Sequence, residues 1–391
     1  MTLKKLTGTM AIGVFALGIA ASAHAATQGV SADEVVFGMH TALSGPVAGW
    51  GVGSVNGIRM RFDEANKNGG VHGRKLRLIV EDNQYQVPQA VQASNKLINR
   101  DKIFVMLGAL GTPMNNAVMP RMFEKGIPNI FPYTAARSMA HPLHPLKFAA
   151  TSTYYDQNRI GTKFAVETLG AEKICVLAQD SDFGEETMEA VNDQLKAMGK
   201  QLTAQARHKP TDSDFMTALG GLRNAGCEAL ILGTILRDTI LINGTAKRMG
   251  WNVPMIGNIA SYDKVVSEAQ GGATEGYYAV TSFNLAYEHN AEGPAKDWIA
   301  RYQKTYNELP PASAQLGYIS ADLVIHALEN AGRDLTVASF LAGLEKISGY
   351  QDIFGGPTLS FGPDKHIGTS ASLISQVKGG QWQPITGSVG Y

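Results

Sequence analysis

The chain has 391 residues, of which 44% are hydrophobic and 17% are charged. This composition is typical of a globular protein, and the length favours about two domains. Lysine plus arginine and aspartate plus glutamate each total 34. The balance excludes the basic excess of a nucleic-acid-binding protein and the polybasic patch of a membrane-surface protein.

The first 25 residues predict a secretory signal peptide. Lys4 and Lys5 form a basic start, an apolar run covers 10–21, and a small-x-small cleavage motif ends at Ala25. The apolar run is too short to span a membrane comfortably, and no other run is long enough. No cysteine follows that could carry a lipid anchor. We therefore expect an exported protein that diffuses freely in a periplasm.

Strands and helices alternate along the rest of the chain. Predicted strands cover 35–39, 76–80, 104–107, 128–131, 173–178, 202–206, 229–232, 255–257 and 276–280. Predicted helices cover 53–66, 88–99, 114–124, 185–198, 214–224, 238–249, 294–306 and 313–330. Residues 358–383 have strand and turn character. This alternation predicts parallel sheets covered by helices on both faces. Because the pattern restarts near residue 173, we expect an α/β protein of two doubly wound lobes.

One turn stands out, between the third predicted strand and its helix. The apolar run that begins in this strand continues through Leu110 to Gly111, and Thr112 and Pro113 follow as the predicted N-cap and first helical residue. Such a turn offers a hydroxyl, unpaired backbone N–H groups and the positive end of a helix. It is therefore a candidate site for an anion such as a carboxylate. An ordinary strand-to-helix connection is the competing interpretation.

Three aromatic residues are predicted at the same edge of the two sheets. Trp50 lies in a predicted glycine-rich loop after the first strand, Phe183 lies in the corresponding loop of the second lobe, and Tyr133 follows another strand end. Ligands of open α/β sheets bind beyond the carboxyl ends of the strands. Together the three residues predict an aromatic-lined cleft between the lobes.

A glycine motif resembles a dinucleotide-binding fingerprint. Gly51, Gly53 and Gly57 follow a strand and open a helix, and Glu81 and Asp82 end the next strand. The spacing is nevertheless G-x-G-x-x-x-G, and a loop separates the strand from the glycines. A lone fingerprint of this kind is a weak signal, so we disfavour nucleotide binding.

Other candidate chemistry is also disfavoured. His141 and His144 alternate with prolines and have no carboxylate or cysteine nearby, which favours a surface loop over a metal site. Asp180, Ser181 and Asp182 precede a helix, where such residues are common caps. The sequence contains no nucleophile elbow, zinc-protease motif or phosphate-binding loop. We therefore predict no metal, no cofactor and no enzymatic activity.

The chain has two cysteines, Cys175 and Cys227, each near the start of a predicted buried strand. In an oxidising compartment they could form a disulfide. We favour the alternative that they are two small, unpaired apolar residues on parallel strands.

The chain resembles the leucine/isoleucine/valine-binding protein family, the type I periplasmic solute-binding proteins of ABC transporters. The most specific segments are LSGPVAGWG at 43–51, NGGVHGRKL at 68–76, the helix over 88–97, and DFGE at 182–185. The resemblance implies two lobes joined by a three-stranded hinge, with crossings near 148, 277 and 354. Residues 26–148 and 277–354 would form one lobe, and 149–276 and 355–391 the other.

The resemblance also implies a set of ligand-binding residues. In the family a hydroxyl and an amide that match Thr112 hold the ligand's carboxylate, with help from a loop that matches Tyr133, Thr134 and Ala135. An aromatic that covers the ligand matches Trp50. A second aromatic, from the other lobe, matches Phe183.

The sequence departs from the family at the ammonium end of the ligand. The acidic residue that binds the ammonium matches Ile259, and a tyrosine that assists it matches Ile235. A buried ammonium without an acidic partner is costly. A shift in the alignment would instead bring Asp263, or Asp182, to the amine. Arg137 is close enough in sequence to the Tyr133 loop to pair with the carboxylate. A position in an external loop is an equally open alternative.

These observations predict a non-enzymatic receptor that binds a small carboxylic acid with an aromatic or branched apolar body and closes on it. The resemblance implies an ABC permease of the inner membrane as its partner, and we expect a monomer. A receptor for branched-chain or other hydrophobic amino acids is one alternative. A periplasmic sensor domain that reports to a separate signalling protein is another.

Overall fold

The computed structural model describes residues 1–2 and 27–391. All but the first two residues of the predicted signal peptide lie outside the described residues, so the signal peptide stays a prediction. Within the described part of the chain, none of the helices is both long enough and apolar enough to cross a membrane.

Twelve strands and eleven α-helices are described in residues 27–391. The strands are β1 (Glu34–Thr41), β2 (Lys75–Asp82), β3 (Val105–Leu107), β4 (Asn129–Ile130), β5 (Lys147–Phe148), β6 (Ile174–Gln179), β7 (Ala204–His208), β8 (Ala229–Gly233), β9 (Met255–Gly257), β10 (Tyr278–Thr281), β11 (Leu373–Lys378) and β12 (Gln381–Pro384). The helices are α1 (Ala48–Lys67), α2 (Val87–Asn99), α3 (Thr112–Glu124), α4 (Tyr154–Glu167), α5 (Asp182–Ala197), α6 (Met216–Asn224), α7 (Leu236–Arg248), α8 (Lys264–Ser267), α9 (Gly293–Tyr306), α10 (Ala312–Ala331) and α11 (Val337–Glu345).

The strands form two sheets, one in each lobe. The first sheet has the order β2-β1-β3-β4-β5 and is parallel throughout. The second has the order β12-β11-β10-β9-β8-β6-β7, parallel from β10 to β7, with β11 and β12 added antiparallel at one edge. Every residue of β6 is buried, as expected for a strand covered by helices on both faces. The predicted α/β class with two lobes is confirmed.

Glycines in both α1 and α10 allow the two helices to pack closely against each other. A Cβ added to Gly57 would lie 2.0 Å from the Ala314 carbonyl oxygen, and one added to Gly317 would lie 2.3 Å from the Ser54 carbonyl oxygen. The glycine motif therefore has a packing explanation that needs no nucleotide. The motif also led to a wrong start for this helix. Helix α1 starts at Ala48 and places Trp50 in its first turn, not in the predicted loop.

Other boundaries also differ from the sequence-based elements. Helix α5 starts at Asp182 instead of 185, so that Phe183 lies in a helical turn and not in a loop. Helices α4, α8 and α11 were not predicted at all. The hydrophobic spacing located the elements well but set their ends poorly, as caps and packing decide the last turn.

The chain passes between the lobes at later points than predicted. β10 pairs with β9 and β11 in the second sheet, so the return to the first lobe follows Thr281 and not residue 277. Phe361 still packs against Phe148 of the first lobe, with ring centroids 5.9 Å apart, so the last passage also comes after 354. The two sequence-based boundaries were therefore placed too early.

Hydrogen bonds tie the three connecting segments together. Each segment contributes one buried serine, and the Ser152 hydroxyl lies 3.0 Å from that of Ser282 and 2.8 Å from that of Ser372. Beside them, Ala149 and Gly368 are linked by a backbone hydrogen bond of 2.9 Å. The lobes are thus joined by a narrow, internally bonded three-segment hinge.

Cys175 and Cys227 form a disulfide, with their Cα atoms 5.8 Å apart. The prediction that they are unpaired is wrong. Cys175 lies in β6, and Cys227 comes just before β8, which is the neighbour of β6 in the sheet. Strand order brings the two side chains within bonding range, and strand order is not visible in the sequence.

Candidate functional site

A cavity lies between the lobes, beyond the carboxyl ends of the strands of both sheets. Its walls come from residues that follow β1, β2, β3, β4, β5, β6, β8 and β9, and from α10. The cavity volume is about 60 Å³. Since a single buried water needs roughly 10–15 Å³, the cavity suits a small molecule.

All ten residues proposed from the sequence line this cavity. They are Trp50, Leu110, Gly111, Thr112, Tyr133, Thr134, Ala135, Phe183, Ile235 and Ile259. Ten other lining residues were not predicted from the sequence, namely Val47, Tyr85, Phe131, Pro132, Ala150, Thr151, Tyr154, Ala260, Leu316 and Ser320. Four of these residues add a hydroxyl group, namely Thr151, Ser320, Tyr85 and Tyr154, and the two tyrosines also add an aromatic ring. No motif in the sequence pointed to either.

One end of the cavity is polar. The Thr112 and Thr134 hydroxyls lie 2.6 Å apart, and both residues are buried. Gly111 caps α3 with a φ of 99°, a left-handed conformation that favours glycine, and Thr112 is the first helical residue. The prediction that Thr112 is the N-cap is therefore wrong. Because its hydroxyl does not cap the helix, it can face the cavity and the Thr134 loop.

The start of α3 also supplies backbone donors. The first N–H groups of a helix have no acceptor within the helix, and Pro113 carries no N–H. Asn115 donates its N–H to the Gly111 carbonyl at 3.0 Å. The N–H groups of Thr112 and Met114 therefore remain for a ligand, beside the positive end of a 13-residue helix. This arrangement suits a carboxylate.

The remaining walls are uncharged and largely apolar, and they come from both lobes. Trp50 covers the cavity from the first lobe, and Phe183, Ile235 and Ile259 from the second. Phe183 packs against Tyr154 with ring centroids 4.7 Å apart. None of the lining side chains carries a charge. An ion in this cavity would thus be held by dipoles and hydrogen bonds alone.

The charged groups considered for the site have other partners. Arg137 lies outside the lining, pairs with Glu186 and Glu189 of α5, and stacks on Tyr155 at 3.9 Å. Asp263 caps α8 by accepting the Val265 N–H at 3.2 Å, and Asp182 accepts from Asn116 at 2.7 Å. Neither aspartate lines the cavity, so the structure offers no support for an amine partner at these positions.

Contacts between the lobes close the rim of the cleft. The backbone N–H of Arg137, in the first lobe, donates to both Glu186 carboxylate oxygens at 3.0 and 3.1 Å. The N–H of Tyr155 donates to the same carboxylate at 3.2 Å. Burial raises the pKa of Glu186 to about 7, although these donors act in the opposite direction. The described structure is therefore a closed form.

The histidine pair shows no sign of metal binding. His144 stacks on Phe123 with ring centroids 4.4 Å apart. In the part of the chain that the structure describes, no group of three or more His, Cys, Asp or Glu side chains is placed to hold a metal ion.

The fold and the cavity define a class: two-lobed binding proteins that hold a small molecule in the cleft. The chain belongs to the periplasmic binding protein family, whose sequence profile matches residues 34–381. The resemblance noted in the sequence is thereby confirmed. Members of this family are binding proteins, so the prediction that the chain is not an enzyme is also confirmed.

Individual relatives extend the comparison. The chain is 24% identical to the leucine-specific-binding protein of Salmonella typhimurium over 274 residues, which cover 70% of this chain and 72% of that protein. A branched-chain amino acid ABC transporter from Thermus thermophilus with bound valine superposes with a TM-score of 0.83 at 20% identity, covering 92% of this chain and 97% of that one. The fatty acid ABC transporter substrate-binding protein of Thermomonospora curvata gives 0.81 at 21% identity, covering 93% and 94%. At these identities the two solved structures support the fold alone.

Proposed function

We propose that the protein is the solute receptor of an ABC importer and binds a small carboxylic acid with an aromatic or branched apolar body. The observation that carries the proposal is the division of the cavity into a hydroxyl-rich end at the start of α3 and uncharged apolar walls elsewhere. Export by the signal peptide, cleavage after Ala25 and docking on an inner-membrane permease are parts of the same proposal.

The carboxylate is held at the polar end. Thr112 and Thr134 supply hydroxyls, and the N–H groups at the start of α3 supply further donors. Hydrogen bonds to a charged group are worth about 1.5–3 kcal/mol each, which compensates for the missing cationic side chain.

The apolar body of the ligand lies between the lobes. Burying one aromatic ring removes roughly 150–200 Å² from water and contributes about 4 kcal/mol before the ligand's immobilisation is counted. Because Phe183, Ile235 and Ile259 come from the second lobe, this burial is complete only when the lobes close. Ligand binding therefore favours the closed form.

The absence of a carboxylate from the lining argues against an amino acid. Ile259 and Ile235 stand where the resemblance leads us to expect an acidic residue and a tyrosine. An ammonium in this cavity would lose its hydration without gaining a charged partner, which costs several kcal/mol. A receptor for a branched-chain amino acid remains the second candidate, because relatives that are named for leucine or valine share the fold.

A thermal-shift screen of residues 26–391 tests the proposal. The panel pairs each acid with its α-amino analogue, for example phenylpropanoate with phenylalanine and isocaproate with leucine, and adds benzoate and a branched oxo acid. A ligand that binds only the folded state raises the melting temperature by mass action. We expect the plain acids to stabilise the protein and the amino acids to leave it unchanged. Stabilisation by leucine or phenylalanine in place of the acids would contradict the proposal.

A further inference from the structure

Tyr154 brings a hydroxyl from the second lobe to the polar end of the cavity. It is the first residue of α4, directly after the hinge segment that contains Ser152, and it is only 5% exposed. Its backbone N–H donates to the Ala135 carbonyl oxygen at 2.7 Å. Its hydroxyl lies against the Thr134 side chain and the Ala135 N–H. Burial raises the pKa of Tyr154 to about 12, and these two groups oppose the rise. The hydroxyl is thus protonated at neutral pH and can donate.

Tyr85 crosses the cleft in the opposite direction. It lies between β2 and α2 with a φ of 56°, and the Asn83 side chain accepts its N–H at 2.9 Å. A Cβ on Gly111 would come within 3.1 Å of its ring, so the glycine gives the tyrosine room. Burial raises the pKa of Tyr85, and the nearby Tyr154 and Asp238 contribute further. Both of these residues belong to the second lobe, so Tyr85 of the first lobe reaches across the cleft.

The two threonines alone leave the carboxylate short of donors. Their hydroxyls are 2.6 Å apart, so one donates to the other and only one of the two protons is free for a ligand. A carboxylate accepts about four hydrogen bonds. No charged side chain lines the cavity to make up the difference. The N–H groups of Thr112 and Met114 bring the number of donors to three, so the carboxylate still has room for one more, and the Tyr154 hydroxyl is beside Thr134.

We propose that Tyr154 donates its hydroxyl to the ligand's carboxylate, and that Tyr85 holds the lobes together without contacting that carboxylate. The assignment rests on the proposed carboxylate site. Tyr154 starts α4 at the hinge, so its bond to a carboxylate held by Thr112 ties the second lobe to a ligand bound on the first. In this arrangement the anion, and not only the apolar body, drives closure.

The test compares Tyr154→Phe with Tyr85→Phe by titration calorimetry, using acids and their primary amides as probes. Suitable pairs are phenylpropanoate with phenylpropanamide, isocaproate with isocaproamide, and leucine with leucinamide. Loss of a hydrogen bond to a charged group corresponds to roughly a 10- to 100-fold loss of affinity, and loss of one to a neutral group to much less. We expect Tyr154→Phe to weaken acid binding by that factor and amide binding less than about fivefold. Tyr85→Phe is expected to weaken acid and amide by the same factor.

The outcomes separate this assignment from the proposed function. If the wild-type protein binds none of the acids or amino acids, the proposed function fails and the assignment fails with it. If an acid or amino acid binds but Tyr154→Phe keeps the wild-type ratio of acid to amide affinity, only the assignment is overturned. A melting curve by circular dichroism checks that each variant is folded. Fluorotyrosine at position 154 tests the same contact without removing the hydroxyl. Its fluorine NMR resonance should shift when the acid binds and should not shift when the amide binds.

Discussion

At the scale of single residues, Ile259 is the position at which we expect the cavity to exclude the ammonium group of an amino acid. It is 5% exposed and lines the second-lobe wall. We expect Ile259→Glu to weaken binding of the carboxylic acid by roughly tenfold or more, because two carboxylates would share an apolar space. The same change should admit the matching amino acid by giving its ammonium a partner.

Ile259→Gln is the matched control for that change, since it has the same shape as the glutamate variant without the charge. Calorimetry with an acid and its amino analogue gives both affinities for each variant. If the glutamate variant binds the two probes as the glutamine variant does, Ile259 does not face the ligand's amine position.

Thr112 and Tyr133 could be proposed from the sequence itself because both follow strand ends, and the carboxyl ends of parallel strands meet at one edge. Thr134 and Ala135 were proposed from the family resemblance. Tyr85 and Tyr154 could not be found in this way. Both line a cavity whose walls come from the two lobes, so their contribution to the site depends on how the closed lobes meet, which no local pattern records.

At the scale of elements, the disulfide fixes the start of β6 to the turn before β8. The bridge links residues 52 positions apart in sequence, and both cysteines are buried. In the chain-entropy description, closing a loop of that length in the unfolded state stabilises the folded state by about 4 kcal/mol. We expect the double substitution Cys175→Ala with Cys227→Ala to lower the free energy of unfolding by about 2–4 kcal/mol.

Urea denaturation monitored by fluorescence measures that loss of unfolding free energy. The matched control is the wild-type protein with its disulfide reduced, which keeps the side-chain volume and loses only the bond. A double variant as stable as the oxidised wild type would show that strand pairing alone holds this edge of the lobe.

Helix α1 shows why element boundaries were harder to predict than element types. Its first turns contain Gly49, Gly51 and Gly53, and glycine disfavours helix by about 1 kcal/mol each relative to alanine. Local propensity therefore favoured a loop before residue 53. A Cβ added to Gly53 would lie 2.1 Å from the Ser313 hydroxyl oxygen at the start of α10, so a side chain there would have to displace its neighbours in that segment. Packing between distant segments overrides the local preference.

At the scale of the whole molecule, two regions connect the lobes on either side of the cavity. The hinge holds them covalently and through Ser152, Ser282 and Ser372. The rim holds them through Glu186, which accepts N–H groups from both lobes. The rim contacts exist only when the lobes are closed, so they belong to the equilibrium that the ligand shifts.

Glu186 makes that equilibrium depend on pH. Burial raises its pKa from 4.5 to about 7 in the closed form. The closed form therefore binds the proton more tightly than an open or unfolded form does. The contribution of Glu186 to stability is complete below about pH 4.5 and is lost as pH rises through about 7, on the order of 3 kcal/mol in all. The side chain introduced by Glu186→Gln cannot ionise. The wild type should therefore lose stability relative to this variant as pH rises from about 5 to about 8.

Melting temperatures of the two proteins across this range test the sign directly, since the other titrating groups are common to both and cancel. Glu189→Gln is the control, because Glu189 lies one turn further along α5, also pairs with Arg137 and has a half-exposed side chain. A surface ion pair of that kind is worth about 0–1 kcal/mol and should leave the pH profile almost unchanged. Parallel profiles for the wild type and Glu186→Gln would mean that the rim carboxylate keeps its ordinary pKa and that closure does not take up a proton. A wild-type protein that gains stability over the variant as pH rises would mean that the bonds from Arg137 and Tyr155 outweigh the cost of burying the charge.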